Sequence, residues 1–198
     1  MTDLLTELAW LESYRPLHDI FCVSFVHGLD PPEVVRRFGA ADGEQMSFEQ
    51  LNGLVAEYVE QTQGGNGGGY VGVVQSGGWS VAVEPWGWQG NLPEVVAGLS
   101  KSSEVVSVNR HDYAEARFVY AVDGAVVTGF APRLPSLRYG SEPERLTPLL
   151  RAAGLDPEGD ERPPNPIAAA FAVAAEVTGV VFTSEMLEES LLVGDIRT

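Results

Sequence analysis

The chain reads as an α+β domain, with a mostly antiparallel sheet of five or six strands packed by helices and a C-terminal helical pair. Three observations point there. Short β-branched and aromatic runs fill the middle of the chain. Two of the junctions between them are tight-turn sequences. Stretches of helical apolar spacing flank them on both sides.

Residues 3–14 place Leu4, Leu5, Leu8 and Leu11 on one stripe and stop at Pro16, so they predict a short amphipathic helix. IFCVSFV, residues 20–26, is apolar at both alternating sets of positions, as a central strand covered on both faces would be. Asp30 then precedes PPEVVRRFG, a helix with an acidic N-cap, prolines in its first turn and a closing Gly39. Ser47 and Gln50 form the S-x-x-Q capping pattern. Behind it Phe48, Leu51, Leu54, Val55, Tyr58 and Val59 share one helical face.

YVGVV (70–74) and WSVAVE (79–84) flank QSGG, a hairpin-like loop. PEVVAGL (93–99) reads as a short helix opened by Pro93, and EVVSV (104–108) as a strand. FVYAV and AVVTGF flank Asp123-Gly124, which favours a type I′ turn. From residue 131 the expectation is helical: SEPERLTPLLRAAG (141–154), IAAAFAVAAEVTG (167–179) and SEMLEESLL. The organisation expected is a core at 1–158, a Pro-rich linker at 159–166 and a helical segment at 167–198 packed on the same domain.

Composition excludes several function classes. Twenty-eight acids face twelve bases, giving a net charge of −16 in 198 residues, and Lys101 is the only lysine. Such a surface repels phosphate backbones and anionic membranes, so neither nucleic acid nor membrane is an expected partner. A helix-turn-helix-like spacing near the C-terminus would present Glu185, Glu188 and Glu189 to DNA. The single Cys22 excludes an intrachain disulfide, and the acidic N-terminus lacks a basic leader; both fit a cytoplasmic protein.

GGGYVGVV (67–74) has the G-x-G-x-x-G-x-V spacing of a kinase phosphate loop. Here the glycines follow a helix rather than join two strands, and VAV is followed by Glu84 where the kinase pattern needs lysine. The run reads instead as a flexible connector at 64–69 feeding a strand at about Tyr70, with no cofactor expected. His18 and His27 flank a strand, which separates them by about 30 Å at ~3.3 Å per residue and rules out a shared metal.

Two segments remain as candidate contact sites. EPWGWQG places Trp86 and Trp88 two residues apart, the spacing of a stacking platform for a sugar, a base or a proline-rich peptide. NRHDY, read as a loop, puts Asn109, Arg110, His111 and Asp112 together as a recognition surface. No nucleophile motif accompanies His111-Asp112.

The succession SFVHGLDPPEVVRRFGA, GWSVAVEPWGW, YAVDGAVVTGFAP, AAGLDP and AAEVTGVVFTSEMLEESLL resembles a family of small bacterial (actinobacterial-type) proteins of unknown function, over about residues 20–192. The resemblance implies one intact domain in a bacterial cytosol and brings no reaction or ligand. The leading expectation is a non-enzymatic interaction module, an inhibitor or immunity-like partner of a basic protein. The alternatives are a ligand or peptide binder using Trp86 and Trp88, and an enzyme of unrecognised type using acids such as Glu84, Asp112 and Asp123.

Overall fold

IFCVSFV does form the centre of the molecule. A computed structural model describes residues 2–17, 19–159 and 163–197; His18 and part of the proline-rich stretch lie outside them. Strand β1 (Ile20–His27) is the fifth of nine strands in a single sheet. The others are β2 (Gly43–Met46), β3 (Tyr70–Ser76), β4 (Trp79–Pro85), β5 (Glu104–His111), β6 (Arg117–Val122), β7 (Ala125–Ala131), β8 (Leu134–Tyr139) and β9 (Leu191–Asp195). Their order is β2-β9-β3-β4-β1-β5-β6-β7-β8, and each neighbouring pair is antiparallel.

Six helices cover the sheet among the described residues. They are α1 (Thr2–Glu7), α2 (Pro31–Arg37), α3 (Phe48–Thr62), α4 (Pro93–Leu99), α5 (Thr147–Ala152) and α6 (Pro166–Thr178). Period-2 alternation divides the core in two. Phe21, Val23 and Phe25 face α3 and α6, together with Val81, Val83, Val106 and Val108. Val26 faces α2 and α4, with Val34, Val35, Val96 and Leu99. Helix α6 is apolar all round because it is buried from Ile167 to Ala175. Its Phe171 ring lies 6.1 Å from Phe21 and 5.5 Å from Phe182.

The caps form as their sequences require. Asp30 Oδ1 accepts from Glu33 N at 3.0 Å. Ser47 and Gln50 make both bonds of the capping box, at 2.9 and 3.2 Å. Asp123 and Gly124 both have positive φ, 47° and 82°, as a type I′ turn needs.

The sheet corrects the expected architecture. Among the described residues it has nine strands rather than five or six, and the C-terminal helical pair is absent. Only α6 of that pair forms; SEML is one 3-10 turn, and Leu191–Asp195 inserts as β9 between β2 and β3. Pairing on both edges decides this segment, with Leu191 and Val193 buried in the core. Gly194 belongs there because a Cβ would lie 2.5 Å from Val35 Cγ1. Residues 134–139 make β8, where a helical stretch was expected from 131, and this confines the following helix to Thr147–Ala152.

Candidate functional site

Helix α3 uses only part of its apolar face against the sheet. Leu51 packs where Gly72 leaves room, with Leu51 Cδ2 2.8 Å from the position of a Cβ there. Phe48, Val55 and Val59 also line an open groove of about 940 Å³. Tyr14 and Pro16 of the N-terminal segment line it as well, with Trp86 and Leu187. Tyr14 and Phe48 stack with centroids 6.3 Å apart and planes at 26°. Asp19, Glu49, Glu60 and Glu188 add four carboxylates to the lining, against the single guanidinium of Arg15. Burial and the Glu188 charge push the Tyr14 phenol up. An apolar lining that also carries several carboxylates suits a ligand that is apolar on one side and cationic on the other.

Trp86 reaches this groove because its loop is folded tightly. Its φ is +53°, left-handed and costly for a bulky residue, and its N–H donates to Ile20 O at 2.9 Å. The loop is pressed between two supports. Outside it lies the glycine run: a Cβ on Gly68 would sit 2.1 Å from Pro85 O, and one on Gly64 would sit 3.4 Å from Trp86 Nε1. Gly67, Gly68 and Gly69 are buried, so these glycines serve close approach rather than the slack expected of them. The strand after them does begin at Tyr70.

Inside the loop lies Glu84, 1% exposed. Its carboxylate accepts from Gln89 N at 2.9 Å and Gly90 N at 2.7 Å. Burial outweighs these two bonds and pushes its pKa up to about 7. Register puts Cys22 opposite both Glu84 and Asn109, and Ser24 opposite Ser107, so a polar cluster crosses three strands. Ser24 Oγ donates to Ser107 Oγ at 3.0 Å, and Asn91 Nδ2 donates to the same oxygen at 2.9 Å. Cys22 Sγ lies 3.2 Å from Ser107 Oγ; burial and then the Glu84 charge push this thiol up, away from a nucleophilic thiolate.

The six residues singled out from sequence do not form one patch. Trp86 lines the groove, whereas the Trp88 ring packs on His111 at 5.5 Å. Asn109, Arg110 and His111 belong to β5 rather than a loop, because β1 continues to pair with them as far as Ile20 opposite His111. Asn109 is buried and its Oδ1 accepts from Arg117 N at 2.8 Å. Arg110 and Asp112 form a two-pronged pair at 3.0 and 3.1 Å. Glu84, Asp112 and Asp123 stand apart: Asp123 accepts from Ser102 N in the β6–β7 turn. His18 lies outside the described residues, and among those described no cluster of three metal-ligating side chains occurs.

A second cavity, about 440 Å³, is lined by His27, weighed above only as a metal ligand, and by Glu104, Tyr120 and Arg145, which no motif signalled. Glu104 accepts from Tyr120 OH at 2.9 Å and lies 3.6 Å from His27 Nδ1, with Arg145 5.7 Å from the Tyr120 ring centroid. Burial and the Glu104 bond push Tyr120 up to about 12. His27 stacks against Trp79 at 4.8 Å, and its Nε2 lies 3.8 Å from the Cβ position of Gly78. That nitrogen therefore turns toward the β3–β4 turn.

The decisive comparison is with family models, one of which matches residues 3–193. The chain belongs to the family of unknown function DUF6461. The DUF6461 match begins upstream of the resemblance seen from residue 20 and takes in Tyr14 and Arg15 of the groove. It also reaches β9, so every groove element lies within the family's extent. Searches of the curated proteins and of the solved structures gave no match.

Proposed function

We propose that this chain is a protein-interaction module whose groove receives a basic, apolar-anchored segment of a partner protein. The observation that carries this reading is the groove itself: an aromatic and aliphatic lining from Tyr14, Phe48, Val55, Val59, Trp86 and Leu187, with four carboxylates against one arginine. The net charge of −16 extends the same preference over long range by steering cationic partners. A groove of this kind takes an amphipathic segment through apolar anchors, with charge setting specificity and on-rate. The reading places the module in a bacterial cytosol, where a lone thiol such as Cys22 persists. No helix among the described residues is long and apolar enough to cross a membrane.

A titration with a short amphipathic Leu/Lys peptide, followed by tryptophan emission, tests it. Saturable binding at low salt, weakened by roughly tenfold or more in Glu49→Lys/Glu60→Lys and absent for the matching Leu/Glu peptide, is expected. Equal binding of both peptides, or none of either, refutes it.

A further inference from the structure

One polar atom of the buried cluster is left over, and its residue borders a cavity. Gly90 lets the loop after β4 press so closely onto β1 that a Cβ there would sit 2.4 Å from Ser24 Oγ. The 3-10 turn Gln89–Asn91 then brings Asn91 to β5, where its Nδ2 donates to Ser107 Oγ at 2.9 Å. The other end of the same carboxamide, Oδ1, is buried and has no partner among the described residues, and Asn91 as a whole is only 8% exposed. Buried acceptors are nearly always paired, because leaving one unmet costs its full desolvation.

Asn91 lines a cavity of about 400 Å³, a size that suits a small molecule. Strand register builds it. Ser107 pairs with Val119 on β6, Val119 with Gly129 on β7, and Gly129 with Tyr139 on β8. A Cβ on Gly129 would lie 2.4 Å from Tyr139 Cζ, so the Tyr139 ring lies across β7 at that point. Asn91 on Ser107 and the ring on Gly129 thus stand two strand spacings apart, roughly 10 Å, with Val119 between them. Val96 of α4 and Val126 of β7 add to the apolar lining. Leu137 and Tyr139 line it too, and they are two of the four large apolar side chains left exposed among the described residues. An unmet acceptor and exposed apolar side chains around one cavity are what a bound molecule would cover.

We propose that this cavity binds a small, neutral, largely apolar molecule that donates one hydrogen bond to Asn91 Oδ1. Neutrality follows from the lining. Its charged residues, Glu115 and Arg117, pair with each other at 3.5 Å, so neither a cation nor an anion finds an unpaired countercharge there. The site shares no lining residue with the groove, so it stands or falls apart from the docking of a basic segment. Indole has the required features, a flat apolar ring and one N–H donor. 1-Methylindole keeps the ring and lacks the donor.

Both probes are titrated into the full chain and followed by methyl and amide NMR. Indole should give saturable shift changes centred on Val96, Val119, Val126 and Leu137. It should bind about tenfold tighter than 1-methylindole, the difference one hydrogen bond to a buried acceptor makes. In Asn91→Ala the ring still binds, but the preference falls to about twofold or less, which separates the lost bond from the bulk of the extra methyl. Val126→Phe keeps Asn91, fills the cavity and should abolish binding of both probes, so it serves as an independent variant if Asn91→Ala does not fold. Absence of saturable binding, changes centred on the groove, equal affinity of the two probes for the wild type, a preference kept in Asn91→Ala, or unchanged binding in Val126→Phe overturns the proposal.

Discussion

Replacing Glu84 by Gln should change how stability depends on pH. The carboxyl is 1% exposed, and its folded pKa of about 7 stands above the ordinary 4.5. Folding is therefore favoured by the proton: the contribution is complete below about pH 4.5 and is lost as pH rises through about 7. That gap corresponds to about 3 kcal/mol. Glu33, Glu144 and Asp195 do not confuse the window. Arg36, Arg138 and Arg197, respectively, hold them below the usual carboxylate value, so their losses come at acid pH. Urea denaturation of wild type and Glu84→Gln at about pH 5 and about pH 8 isolates the effect, since the rest of the charge is common to both. The wild type should lose about 2 to 3 kcal/mol more than the variant between the two conditions, somewhat less than the whole gap because pH 5 already lies above 4.5. Parallel losses, differing by under about 0.5 kcal/mol, would refute the reasoning that Glu84 is buried as a proton-binding group.

The glycine run and the core give further checks. Gly68→Ala sets a methyl 2.1 Å from Pro85 O, a contact only backbone movement relieves, so it should cost about 2 kcal/mol or more by urea melts and displace Trp86 emission. Phe171→Ala removes a ring buried between Phe21 and Phe182 and should cost about 4 kcal/mol, read as a lower melting temperature. Cys22, fully buried, should resist a thiol reagent in the native protein and react at once in urea; fast native labelling would contradict its placement.

Sequence pattern revealed the elements whose local and tertiary preferences agree. Six strands, the α2 and α3 caps and the type I′ turn follow from alternation, capping residues and Asp123-Gly124. Three strands did not show. Gly43–Met46 is a four-residue polar edge without alternation. Leu134–Tyr139 carries Pro135, which weakens its strand signal, as edge strands tolerate. Leu191–Asp195 follows an acidic stretch with helical spacing, and only the presence of β2 and β3 on either side makes it a strand. The site was half legible. Trp86 stood out by type, but its left-handed turn parts it from the Trp88–His111 pair. The polar positions Cys22, Ser24, Glu84, Ser107 and Asn109 alternate along their strands, a signal that becomes a cluster only once register is known. Glu49 and Glu60 belong to no motif, and Glu188 drew notice only within a helix-turn-helix-like spacing; the fold brings all three to the lining of one groove.

The central claim is that the groove docks a basic segment. Mapping shift changes on labelled protein during titration with the Leu/Lys peptide tests it most directly. The account predicts saturable changes centred on Phe48, Val55, Val59, Trp86 and Leu187, fading as salt rises. Changes centred instead on the exposed Leu137 and Tyr139 of β8, or none that saturate, would contradict it.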